Sequence, residues 1–308
     1  MTESAAVSGQ ASGLRASTVA LLLLPPMLWA GNAIVGRLLV GSFPPIALNL
    51  ARWTIALVIL LPLLAWRYTH LSREGWSASA RWMVWIGLLG VGAYNALQYL
   101  ALQTSSPVNT TLIGASGPVI TLALGAWLFK VPVRSRQWLG ATVSIVGVLV
   151  VLTRGDIHRL AALGFVRGDL YMLLATASWS LYTWLLRRHR PNLPNIEFMA
   201  LQIVWGCAWV APVAALELTV GGGHIAWSWK VAAALAYIAL GPSLVAYVCW
   251  DRGVAHTGAT VPVFFANLTP LFAAVLSALV LGEAPHAYHA AAFVLIVVGI
   301  VLSLPPRR

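Results

Sequence analysis

Long apolar runs, separated by short polar connectors, fill the chain from Ser17 to Leu304. A helix rises 1.5 Å per residue, so about 20 apolar residues cross ~30 Å of hydrocarbon. The pattern predicts ten such spans, at 17–39, 46–66, 82–103, 107–129, 137–153, 168–187, 196–216, 230–252, 258–282 and 287–304, with boundaries good to about four residues. The first run, "ASTVALLLLPPMLWAGNAIVGRLLV", is too long for a signal peptide and lacks a clean small-x-small cleavage site, so it is read as a retained span. The expected fold class is an all-α integral membrane protein.

Composition agrees with that class. Hydrophobic residues make up 60% of the 308 and charged residues 9%, whereas a soluble domain carries about a quarter charged. With ten spans, the N-terminal side holds Arg15, Arg67, Arg73, Arg81, Lys130, Arg134, Arg136, Arg187, Arg188, Arg190, Arg252, Arg307 and Arg308. The other side holds Arg37, Arg154, Arg159, Arg167 and Lys230, with Arg52 just inside a helix. Cationic loops stay cytoplasmic, so both termini are expected inside a plasma membrane, a bacterial inner membrane. The net charge of +11 then faces anionic lipid headgroups and needs no nucleic-acid partner. Cys207 and Cys249 fall inside predicted helices without paired spacing and read as small buried residues.

The chain repeats itself. "ASGPVITLALGAWLF" from Ala115 returns as "NLTPLFAAVLSALVL" from Asn267. An offset of 150 aligns Trp29 with Trp179, Arg37 with Arg187, Pro44 with Pro194, Ile46 with Ile196 and Pro62 with Pro212; an offset of 152 aligns Pro118 with Pro270 and Gly147 with Gly299. Matches in order at two close offsets imply duplication, with units 1–153 and 154–308. Each unit holds five spans, an odd number, so the second enters the membrane from the opposite side. Inverted five-helix repeats around a central cavity are the architecture of secondary transporters, with the substrate held near the midplane between the halves.

The segments "LWAGNAIVGRLL", "FPPIALNLARW" and "GVAHTGATVPVFFANLTPLFAAVLSALVLGEAPHAYHAAAFVLIVVGIVLSL" resemble the EamA-type members of the drug/metabolite transporter superfamily over nearly the whole chain. The resemblance implies ten helices, inverted repeats, a basket-like cavity and export of small metabolites without a cofactor. Within the family the aromatic-rich helices are most similar to bacterial exporters of aromatic amino acids. The first half departs from the pattern, with Lys130–Val131 where the second has Gly282–Glu283, so Glu283 is read as an exposed helix-end residue.

Candidate site residues follow from position. Trp66, Trp76, Trp82, Trp127, Trp138, Trp227 and Trp229 lie near span ends, as interfacial anchors do. Trp29 and Trp179 lie mid-span at repeat-equivalent positions and are expected to line a cavity, lipid-facing packing being the alternative. Asn32 and Tyr182 sit one turn beyond them. In the third span Tyr94 and Gln98 share one stripe, Asn95 and Tyr99 the next. They form either a wet cavity wall or interhelical hydrogen bonds. Ser243, Tyr247 and Trp250 supply the eighth-span counterpart, and Asn267 sits beside the helix-breaking Pro270. Arg52, with Gln202 as its repeat partner, either snorkels to the interface or attracts a carboxylate at the outer mouth.

The histidines lie in loops or near helix ends, so metal ligation is not expected, and no acid falls at a predicted midplane, so no coupling carboxylate is expected. HExxH, GxSxG and Walker A motifs are missing, as are selectivity-filter signatures. A carrier of small molecules, most readily amino acids, is the expectation. Carriage of other metabolites or drugs is the alternative, with a channel or a non-transport membrane protein behind it. Oligomeric state is not set by the sequence.

Overall fold

The computed structural model describes residues 14–67, 76–156, 158, 165–221, 223–281 and 286–304. Glu3, Arg73, Glu74, Arg159, Glu283, Arg307 and Arg308 lie outside the described residues, as do the side chains of Trp66, Arg67 and Trp76.

Every regular element among the described residues is a helix. These are α1 (Ala16–Leu38), α2 (Pro45–Arg67), α3 (Trp76–Ile86), α4 (Tyr94–Thr104), α5 (Pro107–Gly114), α6 (Gly117–Trp127) and α7 (Ser135–Thr153). The second half gives α8 (Arg167–His189), α9 (Asn195–Thr219), α10 (Trp229–Ile238), α11 (Ala246–Thr257), α12 (Thr260–Ala266), α13 (Thr269–Leu281) and α14 (Ala287–Ser303). Seven stretches are long and apolar enough to cross a membrane, and Thr260–Leu276 and Ala287–Ser303 add shorter apolar helices. Helix α8 has 23 residues but is more polar, because it buries Thr176, Ser178, Ser180 and Thr183 inside the bundle. The outer surface is apolar instead: Val58, Leu61, Leu139, Val213, Phe293 and Val301 are all exposed, as hydrocarbon contact requires.

Two predicted spans contain π-helical turns, Gly87–Ala93 between α3 and α4 and Ala239–Val245 between α10 and α11. In the second, Pro242 has no N–H to give Ile238, and Ser243 Oγ takes that carbonyl instead at 2.7 Å. In the first, the freed carbonyls are claimed by other helices. Asn49 Nδ2 donates to Val91 and Gly92 at 3.0 Å each, Ser178 Oγ to Leu89 at 2.9 Å and Tyr247 OH to Gly90 at 2.5 Å.

Two further spans are broken, α5 from α6 ahead of Pro118 and α12 from α13 ahead of Pro270. Thr269 Oγ1 donates at 2.6 Å to Ala266 O, the carbonyl that Pro270 cannot serve, and at the first break Ser116 gives both its Oγ and its N–H to Ile113 O, at 2.6 and 3.0 Å. The breaks touch one another, with Asn267 Nδ2 donating to Ser144 Oγ at 2.8 Å and to Ala115 O at 3.4 Å.

Helices α7 and α14 pack with their backbones in contact. A Cβ on Gly140 would lie 2.8 Å from Gly299 O, and one on Gly147 would lie 3.0 Å from Ala292 O. At one end of the bundle Glu217 accepts from Ile46 N and Ala47 N, capping α2. At that same end Arg37 Nη1 donates to Leu102 O at 2.7 Å, closing the last turn of α4. At the other end Arg187 Nη1 does the same for α11 through Ala255 O at 3.3 Å, and Trp82 stacks on His189 at 3.7 Å.

Candidate functional site

An open cleft with about 760 Å³ of atom-free space, its mouth included, enters the bundle between α1, α4, α5, α8 and the α12–α13 break. Trp29, Tyr94 and Trp179 give it an aromatic wall; Gln98, Thr110, Thr111, Thr176 and Asn267 give it polar groups. The broken α5 contributes Thr110, Thr111 and Gly114, and Met172 and Thr176 come from α8.

The wall is the front of an aromatic stack. Trp29 and Trp179 meet edge to face at 5.1 Å, and each packs on Trp250 behind, at 5.2 and 5.0 Å. Trp179 also touches Tyr94 at 4.8 Å, Tyr182 at 4.9 Å and Tyr247 at 5.3 Å. Such pairs are worth ~0.5–1.5 kcal/mol each beyond area, so the wall is stiff. Trp29 Nε1 donates to Pro242 O at 3.1 Å, which ties its ring to the π turn.

Behind Gln98 lies Arg52, fully buried. Its Nε donates to Ser243 Oγ at 2.7 Å, and Nη1 to Tyr99 OH at 2.7 Å, Asn95 Oδ1 at 2.8 Å and Asn32 Oδ1 at 3.2 Å. Nη2 has no partner, and the guanidinium lies 5.3 Å from the Trp53 ring centroid. Arg52 therefore does not snorkel: neutral groups replace the water it gave up. A guanidinium only donates, which orients everything around it. Asn32 must turn its oxygen toward Arg52 and Tyr99, so its amide N–H meets Gln98 Oε1, at 3.2 Å. Gln98 is then left with its NH₂ to offer the cleft. Asn267 has the opposite polarity, since its Nδ2 is engaged by Ser144 and Ala115.

The structure thus divides the residues expected at the site. Trp29, Tyr94, Gln98, Trp179 and Asn267 line the cleft. Asn32, Asn95, Tyr99 and Ser243 do not, because they hold Arg52. Tyr182, Tyr247 and Trp250 do not either: they pack behind the wall, each at most 1% exposed. Trp127, Trp227 and Trp229 are exposed near helix ends. The threonines of α5 were missed; the sole sequence signal is "NTTLIGASGP", polar residues ahead of a helix-breaking proline. No acid falls at a predicted midplane, but one near the predicted end of the eighth span is buried in the bundle. Asp251 is 4% exposed and accepts from Tyr182 OH at 2.8 Å. Asp251 lies at the end of the predicted span 230–252, and the helix runs on to Thr257.

The profile of the EamA-like transporter family matches residues 16–153 and 166–304. The chain belongs to the EamA-like transporter family. This EamA-like chain is 26% identical over 272 residues to the uncharacterized transporter YyaM of Bacillus subtilis (strain 168), covering 86% of each. It is 23% identical over 290 residues to an uncharacterized transporter of Archaeoglobus fulgidus, covering 94% of this chain and 98% of the relative. A crystal structure superposes with a TM-score of 0.71 at 21% identity, covering 94% of this chain and 97% of its own, and so shares the fold. The chain is a multi-pass membrane transporter, and the cleft is the candidate path of its small-molecule substrate.

Proposed function

We propose that this transporter is a secondary carrier that exports amino acids, aromatic ones foremost, by alternating access through the Trp29–Trp179 cleft. The observation that carries the substrate class is the relay Arg52–Asn32–Gln98 beside an aromatic wall. The relay presents a donor polarised by a buried cation, suited to a carboxylate. The rings of Trp29, Tyr94 and Trp179 suit a large apolar side chain, and the Asn267 carbonyl suits an ammonium.

Alternating access needs two interchangeable halves, and here the proposal is ten helices in two inverted repeats, with both termini cytoplasmic. Positions related by the repeat touch each other: Trp29 with Trp179, Asn95 with Tyr247 (3.1 Å) and Ala115 with Asn267. A residue meets its own equivalent only beside a two-fold axis. The paired π turns, the paired helix breaks and the two stretches matched by the family profile support the same reading.

The test is counterflow in proteoliposomes. Vesicles loaded with unlabelled phenylalanine should draw in labelled phenylalanine against its gradient; alanine or threonine inside should support less. Equal counterflow with every amino acid would remove the aromatic preference, and none with any would remove the substrate class.

A further inference from the structure

We propose that Asp251 is the proton-binding site that couples this carrier to the proton gradient, one proton moving inward as one substrate molecule leaves. The inference rests on the carrier reading above for its transport arm alone.

The observations start from burial. Asp251 lies on the packed face of α11, one turn from Tyr247 and from Val254 and next to the buried Trp250. A carboxylate taken out of water needs a cation or a proton to lose its charge. Among the described residues Asp251 makes no ion pair, and its bond is to the neutral Tyr182 hydroxyl. Arg190 acts on it through space but donates to Asn195 and lies over Phe198. Arg187 donates to Ala255 O, and Arg252 is exposed. Tyr247, Cys249 and the exposed His256 are the other titratable groups on its own helix beside Arg252; the facing sides of α1, α12 and the Ala239–Val245 turn supply none. The amide of Gln202, on α9, is buried beside the same Tyr182 hydroxyl, with Nε2 lacking any partner. Tyr182 has one hydroxyl hydrogen and Asp251 takes it at 2.8 Å, so the Gln202 amide, 3.4 Å from that hydroxyl, is a neutral neighbour that brings the acid no charge.

The acid is also connected to the cleft. The Tyr182 ring packs on Trp179, 4.9 Å away, and Trp179 forms the cleft wall. The other face of that ring fills the space over Gly90, where a Cβ would lie 2.6 Å from it. Gly90 belongs to the π turn, the kind of widened turn that collects at functional sites. Protonation at Asp251 alters what Tyr182 bonds to, and Tyr182 bears on both the substrate wall and that turn.

Two measurements test this. In the first, infrared difference spectra of the purified protein are recorded between acid and alkaline pH without substrate. The wild type should show a protonated-carboxyl band that titrates away, Asp251→Asn should lack it, and Tyr182→Phe should keep it with a displaced midpoint. A wild type without the band, or an Asp251→Asn variant that keeps it, overturns the site. In the second, L-phenylalanine is added outside vesicles containing a pH dye, with the membrane potential clamped at zero. Inward phenylalanine should drive protons out and raise the internal pH. Asp251→Asn should retain phenylalanine exchange within about two-fold and lose the pH change. Wild-type phenylalanine flux with no pH change overturns the coupling. If no phenylalanine moves, the substrate reading fails, and the infrared result alone decides the proton site.

Discussion

Tyr94→Leu separates the substrate's share of the aromatic wall from the protein's own. Tyr94 is half-buried on the cleft and has one ring neighbour, Trp179 at 4.8 Å. Leucine keeps most of the apolar volume, so the fold loses about one aromatic pair, ~0.5–1.5 kcal/mol. An aromatic substrate lying on that ring loses a pair of the same size, which lowers its uptake efficiency by roughly two- to twelve-fold. Alanine has no ring to lose and should change by less than two-fold. Trp179→Ala is the contrasting case. Trp179 touches Trp29, Tyr94, Tyr182, Tyr247 and Trp250, so its removal opens a core cavity costing about 3–5 kcal/mol and should lower thermal stability for every substrate alike. The assay is initial uptake into proteoliposomes across a concentration series for phenylalanine and alanine, normalised to correctly inserted protein. Parallel loss of both substrates in Tyr94→Leu would refute a stacking role for the wall.

Three further outcomes follow from the geometry. Arg52→Lys keeps the charge but cannot reach Ser243 on one side and Asn95 and Tyr99 on the other; losing one charge-assisted bond of roughly 1.5–3 kcal/mol should raise the half-saturation concentration at least about tenfold, and unchanged kinetics would disprove the relay. Gly299→Val places methyl groups against Gly140 O, where even a Cβ would come within 2.7 Å, and should cost about 1–3 kcal/mol, read as a lower melting temperature in detergent. In a background free of Cys207 and Cys249, Thr104→Cys and Ala287→Cys should label from outside, and their repeat equivalents His256→Cys and Ser135→Cys from inside; labelling of an equivalent pair from the same side contradicts inversion.

The spans were legible because each needs only length and apolarity, and nine of the ten expected runs coincide with the apolar helices or helix pairs that the structure shows. The proposed duplication is read from prolines and glycines because they serve backbone geometry, which two copies of one unit would share. The site was legible only in part. Its aromatic and amide residues could be found by depth in the span, but depth does not say which way a side chain turns. Tyr94 and Tyr99 are five residues apart on one helix; the first faces the cleft and the second faces Arg52. The π turn at Gly87–Ala93 adds to the difficulty, since a widened turn shifts the facing of all that follows it. Arg52 was placed by its nearness to a span end and Asp251 falls near one, whereas helix packing decides whether a charge there reaches water.

Those two charges bear on how a scaffold duplicated as proposed would acquire direction. Arg52 corresponds to Gln202 by the 150-residue offset, Asn32 to Tyr182, and Tyr99 to Asp251 by the 152-residue offset. In the proposed repeat the clusters Asn32–Arg52–Tyr99 and Tyr182–Gln202–Asp251 are the same three positions of the two halves, the first bonded throughout and the second through Tyr182 and Asp251. One copy has a cation and no acid; the other has an acid and no cation. If both carried the same residues, two inverted states would have equal energy, and a solute would meet the same site from either face. Opposite charges break that equality. A cation held by neutral oxygens favours a bound anion from the side to which the cleft opens, whereas an acid bonded to a neutral hydroxyl responds to protons. Exchanging the charged positions, Arg52→Gln with Gln202→Arg and Tyr99→Asp with Asp251→Tyr, should invert the preferred orientation of exchange if the scaffold itself is indifferent. A folded quadruple variant that still exchanges with the wild-type asymmetry would place direction in the loops instead.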